Sequence, residues 1–205
     1  MDKTSHLDEN GLDPRHASII DALPVYKSKK EVLVVGCGNC KKDNVLKKMG
    51  YEVTSTDYVP EAKKYDFQEK RLAAGMTDIT IHNANILDLS TFPKPQYESV
   101  ICAEVLEHLV DYKVALKNLL SLSERRLIIT VPWQYSFNDT APPPKGHCNF
   151  WNDNGSANFK NINEYKALCE PYAVSIQKIR TKPKDVQMGQ YSYLIIVDKQ
   201  QKWNK

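Results

Sequence analysis

Glu31-Val-Leu-Val-Val-Gly-Cys-Gly-Asn-Cys40 is an apolar run of strand type that ends in a glycine turn and passes into a helical pattern over 41–50. Nineteen residues after Gly38, a second run, Tyr51-Glu-Val-Thr-Ser-Thr-Asp57, ends in an acid. A strand, a Gly-x-Gly turn, a helix and a strand closing on Asp make a nucleotide-binding half-site. Gly36 and Gly38 have no side chain, so their backbone can approach a ligand and take positive φ. Asp57 falls where a carboxylate accepts hydrogen bonds from both hydroxyls of a ribose. The turn alone is a weak signal. The dinucleotide fingerprint would put a third glycine at 41, where Lys41 stands, and a tighter variant would put it at 40, where Cys40 stands.

Two later blocks sharpen the reading. Asp78-Ile-Thr-Ile-His-Asn-Ala-Asn-Ile-Leu-Asp-Leu89 reads as a third strand with an Asn85-Ile86 end. Tyr97-Glu-Ser-Val-Ile-Cys-Ala-Glu-Val-Leu-Glu-His-Leu109 reads as a fourth strand passing into a helix. In this order and spacing the blocks resemble the small class I methyltransferases that use S-adenosyl-L-methionine, over roughly residues 31–131. The resemblance implies an α/β, Rossmann-like fold with a mostly parallel seven-stranded sheet, helices on both faces and a seventh strand antiparallel beside the fifth. It specifies the cofactor and leaves the methyl acceptor open.

Composition fits such a domain. At 205 residues the chain can bury a real core, and one domain over 1–205 is expected. Hydrophobic residues make up 41% and charged residues 26%, ordinary for a soluble globular protein. The net charge is +3, and the lysines fall in scattered pairs, not in the single block that a polyanion-binding tail would show. No apolar run approaches the ~20 residues of a membrane span, and the start, Met1-Asp-Lys-Thr-Ser-His6, has no signal-peptide core. A cytoplasmic protein with reduced thiols is expected, since five cysteines is an odd number. Cys37 and Cys40 form a Cys-x-x-Cys. Zinc would need two further ligands, and His147-Cys148 is the other cluster that could supply them. The plainer reading has Cys37 filling a small position in the turn and Cys102 lying in a buried strand.

Residues 1–13 are polar and expected to be loose. The spacing of Ala17, Ile20 and Leu23 behind Pro14 predicts a helix. Strands are predicted over 31–36, 51–57, 78–83, 97–103 and 125–131. Helices are predicted over 41–50, 60–74 and 105–122, with a short turn at 88–91. Strands alternating with helices imply a parallel sheet covered on both faces. Residues 132–160 lack periodicity, center on Pro142-Pro-Pro144 and carry Trp133, Tyr135, Phe137, Phe150 and Trp151. They leave the carboxyl end of the fifth strand, the edge where open α/β sheets bind ligands. This segment is the expected acceptor-side loop. A helix over 161–169 and strands over 173–180 and 191–197 close the chain.

The resemblance also implies roles. Gly36, Cys37 and Gly38 would face the cofactor, Asp57 its ribose and Tyr58 its adenine. Asn85 and Ile86 would meet the adenine edge, Asn85 standing where the family usually has Asp. Ala103 and Glu104 would line the methionine end. Val34 stands where the family usually has an acid, and Cys40 where it has a glycine; these departures leave room for a non-catalytic cofactor-binding domain. Neutral imidazole titrates near working pH, so His147 and His108 are candidate general bases, with Glu107 beside them. Glu104, Glu107 and His108 at a helix start could also hold a divalent metal together with His147, as in the small-RNA 3′-terminal 2′-O-methyltransferases. The same Glu-x-x-Glu-His run occurs in metal-free small-molecule methyltransferases. The reading taken is metal-free methyl transfer to oxygen or nitrogen of a small-molecule acceptor, with RNA as the alternative.

Overall fold

In the computed structural model, which describes residues 14–24, 30–59, 69, 79–133, 148–153, 155, 159–181 and 191–202, the apolar runs pair into one seven-stranded sheet. Its strands are β1 (Glu31–Val35), β2 (Glu52–Asp57), β3 (Ile81–Asn83), β4 (Tyr97–Ala103), β5 (Ser123–Pro132), β8 (Tyr172–Arg180) and β9 (Tyr191–Lys202). The order across the sheet is β3-β2-β1-β4-β5-β9-β8. The first five strands pair in parallel, whereas β9 lies antiparallel between β5 and β8. The chain steps outward from β1 to β2 and β3, then returns to the other side of β1 with β4. The resulting switch point, between the carboxyl ends of β1 and β4, is where such a sheet opens a ligand crevice.

Central strands buried on both faces need apolar residues in succession, and β1 supplies Val32, Leu33, Val34 and Val35, all buried. Alternate residues feed two cores. Val32, Val34, Ile101, Ile128 and Leu194 pack with α1 (Pro14–Asp21) and α2 (Lys41–Lys48). Leu33, Val35, Val100, Leu127 and Ile195 pack with α3 (Tyr112–Leu122) and with Tyr165 of α4 (Glu164–Leu168). Helices therefore cover both faces. The expected seventh-strand insertion is present as β9, with Ile128 opposite Ile196.

Three expectations change. The helix expected over 105–122 begins at Tyr112, after a 3-10 turn at Leu106–His108. Glu104 takes a left-handed φ of 56°, which a continuing helix cannot hold. The reason is tertiary, because Val105 is drawn over the glycine turn. A Cβ on Gly36 would sit 2.3 Å from Val105 Cγ2. Second, the aperiodic stretch after β5 contains a short parallel pair, β6 (Trp151–Asn152) with β7 (Lys160–Asn161). Trp151 is fully buried, and its Nε1 donates to Glu164 Oε1 at 2.7 Å. Third, the helix expected over 161–169 is the single turn Glu164–Leu168. The loose 1–13 segment, the 60–74 helix apart from Glu69, and residues 134–147 lie outside the described residues.

Candidate active site

A cavity of about 370 Å³ opens at the switch point. Its floor is Gly36, Cys37 and Gly38 after β1; one wall is Ala103 and Glu104 after β4. Arg15 and His16 of α1 form the roof, and Lys41 and Lys42 at the start of α2 close the remaining side. The two glycines serve different needs. Gly36, at φ 69°, gives way to Val105, whereas Gly38, at φ 54°, has nothing within 4 Å of where a Cβ would stand and leaves open space for a ligand.

Asp57 lies behind the turn. Its Oδ2 accepts from Gly38 N at 2.9 Å, and burial raises its carboxyl above the ordinary range against the pull of two backbone N–H groups and Lys42. One carboxylate oxygen thus holds the turn. Tyr58 is exposed beside it. Asn85 is bound into a local turn, its Oδ1 accepting from Leu87 N at 3.0 Å and its N donating to Thr91 Oγ1 at 2.9 Å. Ile86 is buried, and its carbonyl accepts from Asn118 Nδ2 at 2.7 Å. The structure thus puts Gly36, Cys37, Gly38, Ala103 and Glu104 in the cavity wall, and Asp57, Tyr58, Asn85 and Ile86 outside it at the ends of β2 and β3.

The Glu104–His108 segment does not present one helical face. Glu104 is engaged twice: its Oε2 lies 3.2 Å from Arg15 Nη1, and its Oε1 accepts from Ser192 Oγ at 3.1 Å. Glu107 is buried, and desolvation followed by the charge of Glu104 pushes its carboxyl up to about 8. His108 is half-exposed, with Nε2 3.8 Å from Glu107 Oε1. Across the turn lies 148–150. Cys148 N and Asn149 N donate to Glu107 O at 2.6 and 3.1 Å, and Asn149 Nδ2 donates to Leu106 O and Leu109 O at 3.1 and 2.5 Å. His147, the residue before Cys148, lies outside the described residues. Among the described residues the potential metal ligands that gather within 4.8 Å of one another are Cys37, Cys40 and Asp43, and the Glu104–Glu107–His108 set does not.

Beyond the carboxyl end of β5 the ring of Trp133 meets that of Tyr191 edge to face, centroids 5.6 Å apart. Lys178 Nζ stands 3.0 Å from the Trp133 centroid, and Arg180 Cζ 5.7 Å from that of Tyr191. Sequence reasoning named Trp133 in the acceptor-side loop and missed Arg15, His16, Lys42, Asn149 and the Tyr191, Lys178 and Arg180 side chains around Trp133. The signal for Arg15 and His16 was there: they are polar residues in the first turn of a helix whose apolar positions already pointed to the sheet.

A methyltransferase-domain family model matches residues 33–123, a little under half of the chain. A search of the curated proteins gives no match. Solved structures share the fold. Magnesium protoporphyrin IX methyltransferase from Synechocystis PCC 6803, with S-adenosylhomocysteine bound, superposes with a TM-score of 0.61 at 17% identity, over 94% of this chain and 83% of that one. A methyltransferase from Archaeoglobus fulgidus gives 0.59 at 16%, over 90% and 93%. The methyltransferase domain of a bacterial Hen1 protein gives 0.60 at 17%, over 94% and 99%. Residues 33–123 thus match a methyltransferase domain and lie in a Rossmann-like sheet. The whole chain shares the fold of solved S-adenosylmethionine-dependent methyltransferases.

Proposed function

We propose that the chain, acting as one domain, transfers the methyl group of S-adenosylmethionine to an oxygen or nitrogen atom of a small-molecule acceptor. The sulfonium already activates the methyl group. The protein has to bind the cofactor, align the acceptor and accept a proton. In this reading Gly38 and Cys37 approach the cofactor with backbone, and Asp57 takes the ribose with the oxygen that Gly38 does not use. Tyr58, Asn85 and Ile86 border the adenine. Ala103 and Glu104 meet the methionine end, where Glu104 suits the ammonium and Arg15 and Lys42 suit the carboxylate. The acceptor enters over the ends of β4, β5 and β9, between the 3-10 turn and the Trp133–Tyr191 rim. His108 and His147 are the bases. Glu107, its carboxyl raised by burial, borders His108.

The observation that carries this reading over a metal-dependent RNA 2′-O-methyltransferase is the state of the two glutamates. Glu104 is tied to Arg15 and Ser192, and Glu107 is buried beside it, its carboxyl raised by desolvation and by the charge of Glu104. A divalent metal would need both carboxylates and His108 gathered on one point, and among the described residues they are not. Among the described residues no helix is long and apolar enough to cross a membrane. All five cysteines are unpaired, which supports a reducing, cytoplasmic setting.

The test is methyl transfer from labelled S-adenosylmethionine to a panel of phenols, carboxylates, amines and 3′-terminal RNA, with S-adenosylhomocysteine as product. Turnover on a small molecule supports the reading. Turnover on RNA alone overturns it, and cofactor binding without turnover on any member points to a non-catalytic domain.

A further inference from the structure

Cys40 occupies a position that glycine would fill more easily. It starts α2 with φ 60°, a left-handed conformation that non-glycine residues adopt only at a conformational cost. A side chain held there calls for a reason, and its surroundings supply one. Cys37 Sγ, Cys40 Sγ and a carboxylate oxygen of Asp43 all lie within 4.8 Å of one another. All three residues are buried, Asp43 and Cys40 completely. Asp43 Oδ2 accepts from Ser55 Oγ at 2.5 Å, while Oδ1 is buried with no hydrogen-bond partner. A carboxylate oxygen so placed lacks the compensation that burial demands.

We propose that Cys37, Cys40 and Asp43 form a zinc site in the floor of the cofactor crevice, separate from the reacting centre. Thiolate and carboxylate donors suit Zn²⁺, which binds sulfur at about 2.3 Å and oxygen at about 2.0–2.2 Å. Tetrahedral bonds of these lengths set ligand atoms about 3.5–3.8 Å apart, so atoms within 4.8 Å of one another have to close by about 1 Å at most to meet one ion. A water from the crevice, which Cys37 lines, completes the tetrahedron. Charge also balances. Zinc displaces both thiol protons to solvent, so two thiolates and the Asp43 carboxylate face one dication and the buried ammonium of Lys42 beside Asp43. The bound ion would pin the turn 36–40 against the start of α2.

Co²⁺ serves as the spectroscopic probe. Metal-stripped protein titrated with Co²⁺ is expected to show thiolate-to-cobalt charge transfer and the visible bands of a tetrahedral site at one ion per chain, bleached by added Zn²⁺. Zinc should also raise the melting temperature of the stripped protein. Cys40→Gly suits the backbone, so it should fold, yet lose the charge-transfer band and weaken zinc by more than the 10–100-fold that loss of an outer partner produces. Asp43→Asn, which keeps an acceptor for Ser55, should weaken zinc while keeping the thiolate band. Cys148→Ser, which removes the exposed thiol, should change neither. Absence of the band in wild type, or its survival in Cys40→Gly, overturns the site. So does finding Cys37 and Cys40 joined as a disulfide in protein purified without oxidant. None of these readouts involves methyl transfer, so the zinc site and the proposed reaction stand or fall separately.

Discussion

Asp57 holds the glycine turn with one oxygen at the end of β2, and in the proposed reading the other takes the ribose. Losing a charged hydrogen-bonding group of this kind weakens binding by about 1.5–3 kcal/mol. Asp57→Ala is therefore expected to reduce affinity for S-adenosylmethionine and S-adenosylhomocysteine by roughly 10–150-fold in calorimetric titration. Asp57→Asn, which can still accept from Gly38, should lose less. Unchanged affinity in the alanine variant would remove Asp57 from the cofactor site. Glu107 makes a different kind of prediction. Its carboxyl rises from an ordinary 4.5 to about 8 in the folded protein, so between those values the folded state keeps a proton that the unfolded chain has released. Stability follows the difference in bound protons, so Glu107's contribution is complete below pH 4.5 and is lost as pH rises to about 8. Urea melts at pH 5 and pH 8 should show this loss in wild type and a shallower one in Glu107→Gln. The same pH dependence in both proteins would place its origin in another residue.

The element that binds the two halves of the site is the short turn at Leu106–His108. Asn149 joins 148–150 to it through Leu106 O and Leu109 O, and accepts from Lys160 Nζ at 2.5 Å. Removing that amide leaves two carbonyls short of a donor in a buried place. Asn149→Ala is expected to destabilise the fold by about 2 kcal/mol or more, read by chemical denaturation. Here the sequence was a partial guide. β1, β4 and β5 were legible because strands buried on both faces must be continuously apolar, and the Gly-x-Gly turn because glycine takes positive φ freely, although what Gly36 makes room for is Val105. The break at Glu104 was not legible. Its apolar pattern at 106, 109 and 110 continues into the helical stripe of α3, and what stops the helix is packing against residues seventy positions away. The two-residue strands β6 and β7 are too short to carry a period. Arg15 reached the site only because α1 packs across the sheet. The acceptor-side loop still permits a paired test at His147. If that imidazole is the base, His147→Ala slows turnover by roughly 10²–10⁴. Cofactor affinity should move by less than about 1 kcal/mol, because Gly38 and Asp57 lie on other loops. Normal turnover in the variant removes the base, and loss of cofactor binding would show that the loop closes over the cofactor.

Across the molecule, one sheet separates the two tasks. The switch point between β1 and β4 opens the crevice proposed for the cofactor, and the antiparallel insertion of β9 next to β5 sets Trp133, Tyr191, Lys178 and Arg180 at the rim proposed for the acceptor. No step of methyl transfer from a sulfonium needs a Lewis acid, provided the acceptor proton has a base to take it. The charge pattern around Glu104 fits that economy. Arg15 pairs with Glu104, and burial raises the carboxyl of Glu107. A divalent ion arriving there would have to compete with Arg15 for Glu104. Turnover of a small-molecule acceptor is therefore expected to persist in excess chelator at moderate temperature, even where the chelator lowers the melting temperature by withdrawing zinc from Cys37 and Cys40. The decisive comparison is which ion restores what. Stability restored by zinc, with turnover unaffected throughout, fits both assignments. Turnover abolished by chelator and recovered with manganese or magnesium but not zinc would place a metal on Glu104, Glu107 and His108, and would move the acceptor from a small molecule to the 3′ end of an RNA.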